Sequence, residues 1–452
     1  MPDTHYADIA GYLCQSLGYM LVGAIPEHFI NYNGLATGCP KNKNHKPLIK
    51  MLQHDTAARP RSGAAGFIRA MHPRYFIAAG LGLASVAALA QPGKPVSADT
   101  AGSTATLRRL WQASALPGFA VAVVRPEGIV YEHGFGYANK EQHRPYTPAT
   151  VQGVGSVSKT LLGVALLQAQ AAGQLRLDQP VSELLPFFVS NPYFPTQPIT
   201  LRHLATMTAG LTDDQSFYSR RAYAPGHSSA LSSQEYLRRV LTPKGRWYSR
   251  KRFLPHAPGT YYAYSNESAA LAALAIERAT GQPYSTYTRQ RILQPLGMAG
   301  SGWSHAEVDT TMLATLYDPQ GRPVAPYYTI TYPDGGLLTS THSLARYLLS
   351  ILNPDVAGAP LSAAQRDSLL RPQFSAAHPP QHLDPGEPNQ GLFWAYRRNG
   401  TVGHSGGDTG LSSFLFFDPV TRVGKVFVTN TELQGRTAAE FKVIWQALDA
   451  IR

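Results

Sequence analysis

The sequence predicts an α/β (α+β) protein: an antiparallel sheet flanked by helices, built from both ends of the mature chain, with an inserted, mostly helical lobe. Near the start of that chain, residues 119–124 and 129–134 are apolar segments that a turn at 126–128 joins into a hairpin. Near its end, residues 411–417 and 425–430 form a second pair of strands. The long segment between the two pairs carries mainly helical patterns, so the sheet is expected to close through both chain ends.

The strongest helical pattern covers residues 161–172, which are mostly apolar and contain neither Gly nor Pro until Gly173. Residues 267–279 predict a second strong helix. Weaker patterns predict helices over 105–113, 181–186, 199–211 and 438–451. Residues 212–260 are polar and interrupted by Gly and Pro, which favours loops. We expect one domain over 104–452, with the helical lobe at about 190–330.

Composition limits the classes of protein that fit. The 452-residue chain is 44% hydrophobic and 15% charged, with 40 Gly and 35 Pro, which is typical of a loop-rich globular protein with a large core. The formal net charge of +12 is spread along the chain, so it suits an envelope protein near anionic polymers and does not indicate nucleic-acid binding. Both cysteines, Cys14 and Cys39, precede the predicted domain, which excludes a disulfide framework or thiolate metal site within it.

A targeting signal is predicted well inside the chain. Met71 starts a short basic stretch, which the mostly apolar segment 75–90 follows, ending in Ala-Leu-Ala. This pattern is typical of a secretory signal peptide over 71–90 and predicts a periplasmic or secreted protein with no stable membrane span after cleavage. The alternative is an internal buried helix or a membrane anchor. We expect residues 1–70 to be a non-native upstream extension or disordered, and residues 91–103 to form a leader.

Ser156 and Lys159 are the first candidate catalytic residues. They lie three positions apart at the start of the 161–172 helix, so their side chains share one face if the helix begins at or just before Ser156. A serine is a weak nucleophile until a base takes its proton, and a partly desolvated lysine can be that base because burial lowers an ammonium pKa. The alternative is a chance occurrence on a surface helix, so further residues must support the pair.

Two further segments contain groups that can complete such a site. Tyr264 and Asn266 precede the 267–279 helix, where a tyrosine near a lysine can share the base role and an asparagine can hold both lysine and substrate. The alternative is a buried tyrosine beside a helix cap. The segment 403–410 is rich in glycine, which allows close approach to a substrate and offers backbone N–H groups to an oxyanion.

The segment 403–410 also contains the pattern G-x-S-x-G, which in α/β-hydrolases forms a nucleophile elbow around a serine, here Ser405. An elbow requires a helix directly after the serine and a catalytic histidine later in the chain. A glycine-rich turn and the strand 411–417 follow instead, and His404 is the last histidine of the sequence. Both requirements fail, so an elbow is excluded.

Three short segments follow one another along the chain: Ser156-Val157-Ser158-Lys159, Tyr264-Ser265-Asn266 and His404-Ser405-Gly406. In this order they resemble the three active-site boxes of the serine β-lactamase/penicillin-binding-protein superfamily, and of its class C-like branch above all. That branch contains β-lactamases, D-alanyl-D-alanine carboxypeptidases, D-aminopeptidases and esterases. Flanking stretches resemble the family at 117–124, 134–136, 333–337, 391–394 and 411–419. The resemblance runs from about residue 104 to 450 and implies a β-lactamase/transpeptidase-like fold.

The resemblance implies a role for each matched residue. Ser156 is similar to the nucleophile that forms an acyl-enzyme, Lys159 and Tyr264 to the base and proton shuttle, and Asn266 to the residue that orients them. The third box, with His404, Ser405 and Gly406, is expected on a strand facing the site. The family's oxyanion hole corresponds here to the backbone N–H groups of Ser156 and Gly407. The family needs no metal or cofactor.

Two departures from the family pattern affect the expected substrate. Related β-lactamases carry Lys-Thr-Gly in the third box, where this chain has His404, and a histidine with an ordinary pKa near 6.5 is largely neutral above pH 7. A stretch that often contains His-Thr-Ser-Gly-Leu has Met207 and Ala209 in place of the His and Ser. The histidine makes efficient β-lactam hydrolysis less expected than hydrolysis of an ester or a D-peptide, and the absent His and Ser mean that any polar link they make to neighbouring loops is replaced or lost.

We therefore predict a secreted serine hydrolase that acts through Ser156 on an ester, an amide or a D-amino-acid peptide. The alternatives are a class C-type β-lactamase and a penicillin-recognition or wall-binding module that acylates without turnover. A basic cluster is either a solvated surface or a rim contact for an anionic substrate or cell-wall polymer. Its members are Arg238, Arg239, Lys244, Arg246, Arg250, Lys251 and Arg252.

Overall fold

The computed structural model describes residues 100–298 and 300–451. The predictions for residues 1–70, 71–90 and 91–99 lie outside this range, and the first helix of the described residues, Thr100–Gln112, includes residues 100–103 of the expected leader. No helix among the described residues is long and apolar enough to cross a membrane.

An eight-stranded antiparallel sheet organises the described part of the chain, in the order β3-β2-β1-β12-β11-β10-β9-β8. Its strands are β1 (Gly118–Arg125), β2 (Gly128–Asn139), β3 (Arg144–Pro145), β8 (Asn389–Gln390), β9 (Ala395–Tyr396), β10 (Val402–Asp408), β11 (Leu411–Phe417) and β12 (Gly424–Thr429). Two small sheets pair β4 (Val151–Gly153) with β7 (Leu338–Ser340) and β5 (Tyr223–Pro225) with β6 (Tyr327–Thr329). The four predicted strands are all present, and the predicted fold class is confirmed.

The helices surround the sheet and fill the middle of the sequence. The α-helices are α1 (Thr100–Gln112), α2 (Lys159–Ala171), α3 (Leu201–Ala205), α4 (Gln215–Arg221), α5 (Ser233–Leu241), α6 (Asn266–Thr280), α7 (Tyr284–Thr288), α8 (Thr341–Leu352), α9 (Ala363–Leu370) and α10 (Gly435–Ala447). Short 3-10 turns cover Gly155–Ser158, Val181–Glu183, Arg250–Arg252, His305–Glu307, Thr310–Met312, Tyr332–Asp334 and Leu448–Ala450, and a π turn covers Arg289–Leu293.

The two ends of the domain meet at the centre of the large sheet, where β1 pairs with β12 and Phe119 faces Thr429. Strand β1 is buried along nearly its whole length because its two faces contact different cores. Phe119 and Val121 pack into the core under α1 and α10, whereas Ala122 packs into the larger core that contains α2, α6 and α8. An uninterrupted apolar run therefore encodes this central strand.

Two helix predictions and one loop prediction need correction. The pattern at 199–211 yields only α3, because Met207 and Gly210 adopt positive φ angles of 57° and 72° that no α-helix accommodates. The pattern at 181–186 yields a single 3-10 turn. The segment 212–260, which we expected to be loops, contains α4, β5 and α5, because tertiary packing buries Tyr218 and Tyr236.

Helix α6 matches its prediction to within one residue at each end, and it positions the second predicted box. Its sequence is rich in alanine, and nearly every residue from Glu267 to Ile276 is buried. The small side chains let α2, α3 and α5 approach closely around it. The first turn of α6 therefore lies beside the first turn of α2, where Lys159 begins the helix.

Candidate functional site

Ser156 lies in the 3-10 turn that links β4 to α2, and Lys159 is the first residue of α2. Gly155 starts the turn with a φ of 50°, a left-handed conformation that favours glycine. The turn places the two side chains together, and Lys159 Nζ donates to Ser156 Oγ at 3.0 Å. The predicted one-turn spacing on one face is therefore observed.

The Lys159 side chain is fully buried, although its end meets the partly exposed Ser156. Besides Ser156 Oγ, its ammonium donates to Asn266 Oδ1 at 2.7 Å and to the Asp334 carbonyl oxygen at 2.6 Å. All three N–H donors of the charged form therefore have acceptors. After loss of one proton, the nitrogen would keep its lone pair within reach of the Ser156 hydroxyl, as a base requires.

Tyr264 borders the same space. Lys159 Nζ lies 5.0 Å from the centre of the Tyr264 ring, and the Tyr264 hydroxyl is in hydrogen-bonding contact with Lys159 and Ser156. Burial raises the pKa of Tyr264, and this outweighs the lowering by Lys159 and Ser156. Lys159 thus acts in the direction that a base role for this tyrosine requires, but burial opposes it, and the net shift of the Tyr264 pKa is upward. A protonated hydroxyl is a proton donor, and it sits beside the nucleophile.

Asn266 is the first residue of α6, and a carboxylate that sequence reasoning missed fixes its position. Asp213 accepts from Ser265 Oγ at 2.7 Å, from the Asn266 N–H at 2.6 Å and from the Glu267 N–H at 3.3 Å. Ser265 also caps α6 by accepting from the Ser268 N–H. The capping alternative therefore holds for Ser265, while Asn266 faces Lys159. The sequence distance of more than fifty residues left no local signal for Asp213.

The third box lies on β10, an interior strand of the sheet between β11 and β9. The His404 ring lies near Tyr264, tilted by 50° with 6.1 Å between ring centres, and its Nδ1 lies 2.6 Å from the Ser405 carbonyl oxygen. Burial lowers the pKa of His404 to about 3, and desolvation is the largest cause, with smaller contributions from the charges of Lys159 and Arg397. The imidazole is therefore neutral at pH 7, and it offers no permanent positive charge to a substrate.

The glycines of the third box allow β10 to contact the nucleophile turn. A Cβ at Gly406 would lie 2.1 Å from the Val154 carbonyl oxygen and 3.0 Å from the Ser156 nitrogen. A Cβ at Gly155 would lie 2.9 Å from the Gly407 nitrogen. The backbone nitrogens of Ser156 and Gly407 thus belong to two segments in direct contact. After Ser405 the chain continues into strand β11 and not into a helix, so the segment is not a nucleophile elbow.

Buried carboxyl groups surround Lys159, and their roles were not predicted. The Asp334 side chain accepts from the Tyr218 hydroxyl at 2.7 Å, and burial raises the pKa of Asp334 to about 7. Glu267 meets Arg252 at 3.3 Å in a pair with almost no exposure, and burial with the nearby Asp213 raises the pKa of Glu267 to about 8. The sequence indicated Asp334 only through its resemblance to a family segment.

The basic cluster is mostly engaged within the protein. Arg238 and Arg239 both bond Glu235, and Arg252 is buried against Glu267. Arg250 lies over the Tyr193 ring at 4.2 Å. The described residues contain no group of His, Cys, Asp and Glu side chains that could hold a metal ion.

Comparison with known proteins shows the family of this chain. A sequence model of the Beta-lactamase family matches residues 104–449. Protein flp of Staphylococcus aureus (strain NCTC 8325 / PS 47) is 25% identical over 327 residues, which cover 70% of this chain and 60% of that protein. Esterase EstB of Burkholderia gladioli is 33% identical over 213 residues, or 45% of this chain and 52% of that protein. The match to flp thus spans less than two thirds of that relative's length.

Solved structures share the fold. The octameric penicillin-binding protein homologue from Pyrococcus abyssi superposes with a TM-score of 0.63 and 24% identity, over 77% of each chain. The family match covers most of the sequence and includes every residue of the three boxes. The chain therefore belongs to the Beta-lactamase family.

Proposed function

We propose that this protein is a serine hydrolase that forms an acyl-enzyme at Ser156 and acts on uncharged esters, with amides and D-amino-acid peptides as further substrates. One observation carries the proposal: Lys159 Nζ lies 3.0 Å from Ser156 Oγ and is held there by Asn266 and the Asp334 carbonyl. A buried amine at this distance is a base for a serine that is otherwise a weak nucleophile.

The reaction follows from these positions. Lys159, as the neutral amine, takes the Ser156 proton while Oγ bonds to the substrate carbonyl carbon, and the carbonyl electron pair moves onto its oxygen. The N–H groups of Ser156 and Gly407 stabilise this oxyanion, an effect that is typically about 10²–10³ in kcat for one donor. When the bond to the leaving group breaks, the leaving oxygen or nitrogen takes a proton from Tyr264, which regains one from the Lys159 ammonium. Water then gives a proton to the Lys159 amine and bonds to the acyl carbon, the bond from that carbon to Oγ breaks, and Oγ takes the proton back, which releases the acid and restores Ser156.

The preference for uncharged esters rests on the charges beside the third box. A β-lactam or a peptide C-terminus presents a carboxylate, and a cation there would attract it. His404 is neutral, and Arg397, which donates to Ser405 Oγ at 3.3 Å, is paired with Glu387 at 3.3 Å. The site thus contains less unpaired positive charge than a third-box lysine would supply. The partial match to an esterase points to the same substrate class.

The test compares the wild-type protein with Ser156→Ala and, as a matched control, Ser216→Ala on α4, far from the three boxes in sequence. Each is assayed with a nitrophenyl ester, a chromogenic cephalosporin and a D-alanyl peptide. We expect ester turnover that Ser156→Ala abolishes and Ser216→Ala retains. Dominant cephalosporin or peptide turnover would refute the ester preference. Equal activity of wild type and Ser156→Ala on every substrate would refute the nucleophile.

Intact mass after a penicillin or ester pulse separates catalysis from simple binding. A transient acyl adduct on the wild type, absent from Ser156→Ala, is the expected result. A stable adduct with no turnover would refute the hydrolase proposal and indicate a recognition module that acylates without turnover.

A further inference from the structure

A cavity of about 370 Å³ lies against the end of β10, between β6 and residues 303–316. Three residues that line it adjoin the catalytic segments: Gly153 precedes the nucleophile turn, Gly335 follows Asp334, and Asp408 follows Gly407. At Gly335 an added Cβ would lie 3.7 Å from the Gly155 carbonyl carbon. Gly335, which lines the cavity, is therefore in contact with the backbone of the nucleophile turn.

The direction along β10 distinguishes the two halves of a substrate. Tyr264, the proton donor to the leaving group in the proposed mechanism, lies near His404 with 6.1 Å between the ring centres. Asp408 lies four residues farther along the same strand, or about 13 Å at the usual rise. With the carbonyl oxygen held between Ser156 and Gly407, the leaving group must extend toward Tyr264. The acyl group then extends the other way, toward Asp408 and the cavity.

The cavity wall consists mainly of carbon and contains no Lys or Arg side chain. Its larger apolar and aromatic members include Trp303, Leu313, Leu316, Val324, Tyr328 and Tyr332. Tyr223 donates to the Asp408 carboxyl group at 3.1 Å, which fixes that group at the edge of the cavity. Burial raises the pKa of Asp408 to about 6, so at pH 8 the group is largely a carboxylate. An anionic acyl tail would meet this charge and no compensating cation.

We propose that this cavity is the acyl-binding site of the enzyme, and that it selects uncharged aliphatic or aryl acyl groups of intermediate size. The inference rests on the proposed function, because it needs Ser156 as the acylated residue. A volume of about 370 Å³ is at the small end of ligand pockets, which suits one ring or a short chain. Each methylene that enters an apolar pocket is expected to raise kcat/KM by about fourfold.

The experiment measures kcat/KM for nitrophenyl acetate, butanoate and hexanoate in the wild type, Val324→Phe and Ala325→Phe. Both substitutions place a ring in the cavity wall, and Ala325 is exposed, so its variant carries little risk of misfolding. The control is Val420→Phe, on the exposed turn between β11 and β12. We expect the hexanoate-to-acetate ratio to exceed ten in the wild type and in the control, and to fall at least tenfold in the cavity variants.

Three outcomes would overturn the acyl-site assignment and leave the hydrolase intact. One is a ratio near one in the wild type, and another is an unchanged ratio in both cavity variants. The third outcome uses acetate esters of alcohols of increasing size. If Val324→Phe changes the relative kcat/KM values of these esters but leaves the hexanoate-to-acetate ratio unchanged, the cavity binds the leaving group. Failure of the proposed function is distinct, because then no ester would be hydrolysed in a Ser156-dependent way.

Discussion

Asp213 connects the loop before α4 to the first turn of α6, and replacing it by Asn tests how the site is held together. One carboxyl oxygen accepts from Ser265 and Glu267, and the other accepts from the Asn266 N–H at 2.6 Å. An amide keeps one acceptor oxygen but turns an N–H₂ donor toward the Asn266 N–H, or toward the other two donors if it flips. In either orientation at least one donor loses its acceptor.

The structure sets the size of the expected effect. A hydrogen bond to a charged group contributes about 1.5–3 kcal/mol, and a negative charge at a helix N-terminus contributes about 0.3–1 kcal/mol. Asp213→Asn should therefore lower the free energy of unfolding by about 2–4 kcal/mol. Asn266 also positions Lys159 at 2.7 Å, and a displacement of about 1 Å at such a residue can reduce the rate on the order of 100-fold. We expect kcat to fall by roughly 10- to 100-fold.

The neighbouring residue provides the matched control. Asp214 is the N-cap of α4, where its side chain accepts from the Phe217 N–H at 2.9 Å, and Asn is an equally good N-cap. Urea unfolding and ester kinetics on Asp213→Asn and Asp214→Asn give the comparison. Only Asp213→Asn should lose stability and kcat. If the two variants match each other in both measurements, Asp213 does not hold the site and the reasoning is refuted.

Two further predictions concern charge and backbone geometry. Because the folded pKa of Glu267 is about 8, above its ordinary value of 4.5, the folded state keeps a proton that the unfolded state releases between those values. The free energy of unfolding of the wild type should then fall as pH rises, by up to about 1.4 kcal/mol per pH unit, and Glu267→Gln should remove this component. Urea unfolding at several pH values measures it. If the difference in free energy of unfolding between wild type and Glu267→Gln stays constant from about pH 5 to about pH 8, the prediction is contradicted. Gly155→Ala should reduce ester hydrolysis by more than about tenfold, since its Cβ would lie 2.9 Å from the Gly407 nitrogen at a φ of 50°. Gly173→Ala is the control, because Gly173 has a φ of 71° and no atom lies near the added Cβ. This variant should have the same backbone strain of about 1–2 kcal/mol but keep its activity. Equal activity of the two variants would argue against close contact between the nucleophile turn and β10.

Much of the fold could be predicted because it follows from local patterns. The apolar runs that became β1, β11 and β12, and the alanine-rich run that became α6, carry their periodicity in the sequence itself. The segment 212–260 could not be predicted in this way. Its short helices depend on burying Tyr218 and Tyr236 against distant elements, and a single sequence does not indicate those partners.

The sequence alone predicted the Ser156–Lys159 contact, because a spacing of three residues at a helix start places two side chains on one face. It also indicated Tyr264 and Asn266 as candidates, and the resemblance gave them roles and added His404. The tertiary structure brings Tyr264 and Asn266 to Lys159, and His404 to Tyr264.

Only the tertiary structure decided the electrostatics of the site and the space beside it. Burial raises the pKa of Tyr264 and lowers that of His404, because desolvation depends on atoms that are distant in sequence. The Asp213 and Asp334 contacts join segments more than fifty residues from those they support. Neither a spacing nor a composition encodes such contacts, since they arise only when the packed elements exclude water around Lys159.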